Sequence, residues 1–326
     1  MGGANPNCHL VADIGGTNAR FAILRGDAKS GFEAVHSQRL RAEDFEALRD
    51  AALAFLQTYD GEQPSRACFA VAGPVGEGEV RLTNSPWRFN PPELARTLGV
   101  ERLIAVNDWE ALGRGAPLTP DSELVTVRGG KGRKGAPIAV LGPGTGLGMS
   151  YLHEADSPRP RVISTEAGHA AFAPCGEDEI DVLLFVAREF GYVSWERLLS
   201  GRGLVTLHRA ICRRDGVPWP NLRPDQVTKA AIGGTDPQAV RALDMFCAAL
   251  GTFAGDAVLM GGARGGVYLG GGILPRIRDF FLKSRFNACF NGRDLMEGYF
   301  DDLPVRLIMT DMAALYGAAA FAGDAS

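Results

Sequence analysis

The feature that most constrains how this chain folds is a repetition. Residues 11–23, VADIGGTNARFAI, and residues 137–152, PIAVLGPGTGLGMSYL, each read as an apolar run, a glycine-rich turn carrying one threonine, and a second apolar run. Superposing Thr17 on Thr145 aligns the flanking runs, and a glycine precedes each threonine. This is the signature of a duplicated strand–turn–strand unit, and an internal repeat limits the fold before any single element does. The first copy also ends its apolar run in Asp13. A tight hairpin with an aspartate in its turn accounts for the glycines but not for a second, matching loop. A loop that holds phosphates and their metal ion calls for both, since glycines let backbone N–H groups converge and a carboxylate serves the cation.

Composition narrows the setting. The 326 residues suffice for two domains and a large core, with 46% hydrophobic and 22% charged residues. The 42 glycines are in excess and gather in a few loops, as expected where a backbone bends sharply or approaches a ligand. A net charge of −4 without a long basic run argues against nucleic acid or an anionic membrane as partner. GGKGRKG at 129–135 is not a P-loop, because no Ser or Thr follows its Gly-Lys; it reads as a solvated loop tip between domains or strands. Six scattered cysteines give no disulfide framework and no zinc knuckle; Cys68, Cys212 and Cys247 read as core residues. The N-terminus has no signal-peptide pattern and no apolar run approaches ~18 residues, so a cytoplasmic protein is expected.

Along the chain, CHLVADI, RFAIL and EAVHSQRL read as strands. Residues 42–59 predict a helix on the spacing of Phe45, Leu48, Ala52, Phe55, Leu56 and Tyr59. RACFAVAGPV is a buried strand, Asn90 opens the helix PPELARTLG, and RLIAVND ends in Asn107 and Asp108. Further on come the helix LVTLHRAICRR, a long helix capped by Asp236 and Pro237, the junction GGVYLGGGILPRI, the strand LPVRLIMT and the small-residue helix DMAALYGAAAFAG, expected to pack on the N-terminal domain.

A dinucleotide fingerprint fails in LGPGTGLG, where Leu147 takes the place of the last glycine. Two strand–turn–strand loops gripping phosphates across a cleft, with Gly270-Gly271-Gly272 holding the nucleoside, remain. DIGGTNAR, LGPGTGLG and GGVYLGGGILPRI resemble the two phosphate motifs and the adenosine motif of the sugar kinase–actin–heat-shock chaperone superfamily. Within it, AVNDWEA, STEAGHAAFAP, VSWERLLSGRGL and MTDMAALYGAAA resemble the bacterial glucokinases, nearly end to end. The resemblance implies a two-domain α/β fold of the actin-like ATPase (ribonuclease H-like) type, with an interdomain active-site cleft. The expected small domain spans 1–117, completed by a helix at 311–326, and the large domain spans 118–310.

The resemblance also implies ATP-dependent phosphorylation of glucose at its 6-hydroxyl, with Mg²⁺. Asp13 would organise the metal through water; Gly15, Gly16 and Thr17, then Gly144, Thr145 and Gly146, would hold the phosphates; Gly270, Gly271 and Gly272 would lie against adenine and ribose. Asp108 is the expected catalytic base, and without the resemblance a helix-capping role would weigh as much. Asn107, Asp108, Glu166, His169 and Glu196 would bind the sugar by paired hydrogen bonds. Arg20 is open between a phosphate and a partner carboxylate, and Asn84 is at most a supporting residue. AAFAPCGEDEID holds one cysteine, Cys175, where related repressor–kinases carry a cysteine-rich zinc motif, so no zinc is expected.

Three rivals share the fold. A kinase of another hexose would differ only in contacts at single hydroxyls, a sugar sensor would need a DNA-binding module for which the segment before Asp13 leaves no room, and a conformational ATPase would leave the sugar residues unexplained. A homodimer is expected from the family and from the prevalence of symmetric assemblies.

Overall fold

The computed structural model of the protein describes residues 5–324 apart from Pro74, Glu77, Asn84 and Arg293; Asn84 therefore lies outside the described residues. The chain divides into two compact units. The first runs to Glu123 and takes up Ser157–Ser164 and the stretch from Thr310 onward; the second comprises Leu124–Asp156 and Thr165–Met309.

The first unit contains β1 (Asn5–Ile14), β2 (Asn18–Asp27), β3 (Gly31–Arg41), α1 (Leu48–Gln57), β4 (Pro64–Val71), the short β5 (Val80–Arg81) and β6 (Arg88–Phe89), α2 (Pro91–Leu98), β7 (Arg102–Asn107) and α3 (Asp108–Gly115). Its main sheet has the order β3-β2-β1-β4-β7. β1 pairs antiparallel with β2 and parallel with β4, which pairs parallel with β7. α2 forms where the sequence signals it: the Asn90 side chain accepts the Glu93 N–H at 3.2 Å, Pro91 follows, and Gly99 ends the helix at φ 71. α1 starts later than the expected residue 42. Ala42–Asp44 makes one 3-10 turn, Phe45 is extended, and its carbonyl accepts the Trp87 indole N–H at 3.3 Å, so the helix restarts only at Leu48.

The second sheet draws on β8 (Leu124–Arg128), β9 (Ile138–Pro143), β10 (Leu147–His153), β11 (Arg161–Thr165), β12 (Gly266–Leu269) and β13 (Val305–Ile308), in the order β11-β10-β9-β12-β13-β8. β9 pairs antiparallel with β10 and parallel with β12, as β1 does with β2 and β4. Counting from β1 and from β9, both sheets run third, second, first, fourth, fifth, and the second adds β8 as a sixth strand at its edge. The repeat legible in two loops therefore extends to whole sheets, and the expected α/β fold with duplicated units is found.

Between β11 and β12 lie α4 (Glu177–Phe190), α5 (Gly201–Asp215), α6 (Pro224–Ile232) and α7 (Pro237–Gly261); α8 (Arg278–Phe281) and α9 (Phe286–Asn291) follow β12. The Asp236 side chain accepts the Gln238 and Ala239 N–H groups at 2.9 and 3.0 Å and starts α7. At 25 residues α7 is long and apolar enough to cross a membrane, against the sequence expectation that no run approaches that length. Its apolar faces are buried in the core of the second unit among Phe281, Phe286, Phe290 and Phe300. GGKGRKG links β8 to β9, and its backbone is fixed there: Gly132 N–H donates to Asp302 O at 2.8 Å and Arg133 N–H to Arg264 O at 2.7 Å.

The last helix, α10 (Ala313–Asp324), belongs to the first unit and packs on α3 and on β1, β2 and β4. The crossing is a close backbone approach. A Cβ on Gly115 would lie 1.8 Å from Ala313 O, and one on Gly317 1.8 Å from Ala111 O.

Candidate active site

In the first unit, three parallel strands end at one level. Ile14 of β1 is level with Val71 of β4, and Val71 with Asn107 of β7. Asp13 therefore sits at the end of β1 and Asp108 just past the end of β7, two positions apart across the carboxyl edge of the sheet, where open α/β folds place ligands. Beyond β1 the chain turns through Gly15, Gly16 and Thr17. Gly15 N–H bonds back to Asn18 O at 3.0 Å, and Thr17 O accepts Ala42 N–H at 2.8 Å. Among the described residues, the N–H groups of Gly16 and Thr17 have no protein acceptor, which leaves them to a ligand.

Asn107 is the N-cap of α3. Its Oδ1 accepts the N–H groups of Trp109 at 3.0 Å and Glu110 at 3.3 Å, and its Nδ2 donates to Gly73 O at 3.2 Å. The capping role open for Asp108 in the sequence thus falls to Asn107. Asp108 is the first residue of α3, and its Oδ1 accepts the Trp109 N–H at 2.9 Å. Burial, and after it the charge of Asp13, push the Asp108 carboxyl up to about 6 against the favourable Trp109 N–H. The Asp13 carboxyl is raised as well, first by burial; Arg20 opposes this and Asp311 adds to it.

Arg20 is paired with a carboxylate. Its guanidinium pairs with Asp311 and donates to the Asp311 carbonyl at 2.6 Å, while Arg39 reaches the same carboxylate at 3.0 Å. Asp311 was not singled out from the sequence. It stands 291 positions from Arg20, and only its place before a glycine- and alanine-rich helix hints at it. No donor bonds the Asp13 carboxylate among the described residues, and these residues contain no group of three side chains suited to hold a metal. A half-buried carboxylate without a donor beside open N–H groups fits a hydrated Mg²⁺ carried in with phosphates, since that ion needs few protein ligands.

The second unit repeats the arrangement. Gly144 N–H bonds to Gly146 O at 2.7 Å, and the N–H groups of Thr145 and Gly146 have no protein acceptor among the described residues. The third loop lies against this one. Gly270 N–H donates to Leu141 O at 2.9 Å; Gly271 has φ +85, and a Cβ there would lie 2.3 Å from Pro143 O. Packing between loops thus already requires Gly271, whereas Gly272 faces open space.

Ala167–His169 is a 3-10 turn with Glu166 at its N-cap, seated on β10: a Cβ on Gly168 would come within 2.2 Å of Leu147 O. The Glu166 and His169 side chains are 92% and 62% exposed, and their Oε2 and Nε2 are 3.8 Å apart, so both remain available to a ligand. Phe172 N–H bonds to Val193 O at 2.9 Å and Trp195 N–H to Ala170 O at 3.0 Å, which zips this turn to the one bearing Glu196. Glu196 is not free: its Oε2 accepts Leu147 N–H at 2.8 Å. Asp13, Asn107, Asp108 and the first loop are thus gathered in one unit, and Glu166, His169, Glu196 and the other two glycine loops in the other.

Comparison with known proteins gives the family. The glucokinase family model matches residues 10–325. The glucokinase of Hahella chejuensis is 41% identical over 310 residues, 95% of each chain. The crystal structure of a glucokinase from an Antarctic psychrotroph is 36% identical and superposes with a TM-score of 0.91 over 98% of this chain and 99% of that one. In fold alone, at 19% identity, the chain is similar to the glucokinase of the ROK family from Streptomyces griseus, solved with glucose and AMPPNP (TM-score 0.65; 97% and 99% covered).

Proposed function

The chain belongs to the glucokinase family, and from that premise we propose that Asp108 is the base in the phosphorylation of glucose it carries out. The donor is ATP, as befits a kinase of this family. The Asp108 carboxylate takes the proton of the 6-hydroxyl; the hydroxyl oxygen forms a bond to the γ-phosphorus; the bond from that phosphorus to the β–γ bridging oxygen breaks, and its electron pair leaves with ADP. Such transfers need positioning and charge stabilisation more than covalent help from the protein. The observation that carries the assignment is the carboxyl of Asp108 just past the end of β7, at the carboxyl edge of the sheet and raised to about 6, close to the working pH of a general base.

Asn107, Glu166, His169 and Glu196 bind the sugar hydroxyls in this reading. Gly16, Thr17, Thr145 and Gly146 offer N–H groups to phosphate, and Gly272 leaves room for the nucleoside. Asp13 would hold Mg²⁺ through its water shell, and the ion when bound offsets the phosphate charge. Glucose 6-phosphate formation places the enzyme at the entry to glycolysis. A cytoplasmic homodimer without nucleic-acid or membrane partners is the accompanying proposal, supported by the net charge of −4 and by the base rate of symmetric dimers; light scattering after gel filtration reads the mass.

The test is ADP release from Mg-ATP across a hexose panel. Turnover strong with glucose and weak with fructose, mannose and N-acetylated sugars is expected. Turnover with another hexose would move the specificity and keep the mechanism. No sugar-dependent release from folded protein would end the kinase reading.

A further inference from the structure

A carboxylate beside a phosphate loop is electrostatically misplaced, because it repels the ligand the loop would take. Glu196 stands in that position. Its Oε2 accepts the Leu147 N–H at 2.8 Å, and a Cβ on Gly146 would lie only 2.4 Å from that oxygen, so the glycine is what admits the carboxylate. The same short segment holds the loop again five residues on, where Gly201 N–H donates to Gly144 O at 3.0 Å. Gly168 closes against Leu147 O. The loop 144–147 is thereby tied at both ends, and the two N–H groups between the ties, of Thr145 and Gly146, are the ones without a protein acceptor.

We propose that Glu196 is a positioning residue for this loop as well as a sugar ligand: Oε2 braces the loop in the form that presents Thr145 and Gly146 to phosphate, and Oε1 is left for the sugar. The inference rests on the reading of the loop as a nucleotide site. The brace works by accepting a hydrogen bond and not by charge, so a neutral acceptor of the same shape replaces it. Sugar binding and loop geometry then share one side chain, and the phosphate site feels the sugar through it.

The experiment is calorimetric titration of the full chain with Mg-ADP and no sugar. Against wild type, Glu196→Gln should bind within threefold, because Gln Oε1 accepts the Leu147 N–H without the repulsion. Glu196→Ala should bind about tenfold or more weakly, the loss expected for one hydrogen bond that orders a loop. Gly146→Ala, which displaces the carboxylate and leaves it intact, should weaken ADP similarly and serves as the second variant if Glu196→Ala fails to fold by circular dichroism. A residue acting only on sugar would leave ADP affinity unmoved in both Glu196 variants, and wild-type affinity in Glu196→Ala or Gly146→Ala overturns the brace. Weak binding by Glu196→Gln equal to that of Glu196→Ala overturns the acceptor role. Wild-type protein that binds no ADP removes the nucleotide reading itself, a result separate from these.

Discussion

Asp108 ties function to stability at a single carboxyl. Its folded value of about 6 lies above the ordinary value for an aspartate, so the folded state binds the proton more tightly than the unfolded one. Stability from this group is present below the unfolded value and is lost as pH rises through about 6. At pH 8 the ionised carboxylate costs on the order of 1–3 kcal/mol. Asp108→Asn should therefore raise the melting temperature at pH 8 and leave it nearly unchanged at pH 4, while kcat falls about 10³-fold or more and glucose still binds. Scanning calorimetry at the two pH values, with turnover and glucose titration of the same variant, checks all three. A carboxyl-labelled NMR titration of the nucleotide-free protein should find Asp108 half-protonated near pH 6.

Which residues were legible follows from how local their cause is. Asp13 and Asp108 announce themselves because each closes an apolar run with a carboxylate, a choice that burial alone would oppose. The loops were legible because they repeat. Asn107 reads as a ligand in the sequence, and in the structure its Oδ1 also caps α3, a role its place just before the helix allows but does not demand. Asp311 and the loop contact of Glu196 were hidden, since each depends on a partner 291 or 49 positions away that only the fold brings near.

At the scale of elements, the α3–α10 crossing has no room for a side chain at Gly115 or Gly317. Any side chain at Gly317 meets the carbonyl of Ala111, and the backbones must separate. Gly317→Val should lose about 3 kcal/mol or more, read as a lower urea midpoint, because overpacking against backbone cannot be relieved by a rotamer. In the second unit, Phe290 is fully buried and stacked with Phe286. Phe290→Ala should lose about 3–5 kcal/mol by leaving a cavity. Strands and capped helices matched the periodicity of the sequence; the start of α1 did not, because a distant tryptophan takes a carbonyl the helix would have used. The apolar character of α7 over that length escaped a count of consecutive apolar residues, since its polar positions interrupt the run without exposing the helix.

For the whole molecule, each unit has its own core, and α10 fills one face of the first with Leu315, Ala318, Ala319 and Ala322 packed on β1, β2 and β4. Deleting α10 should abolish amide protection in β1, β4 and β7 and leave α5 and α7 protected, as hydrogen-exchange mass spectrometry can read peptide by peptide. The return of α10 has a further consequence during synthesis. On the ribosome, Val11, Ala22, Cys68 and Ala70 emerge early and wait for their helix while the whole second unit is translated, so one face of the first sheet stays apolar and uncovered. The second unit can close its core first, and the nascent first unit is then the segment that needs shelter from chaperones until residues 313–324 are out.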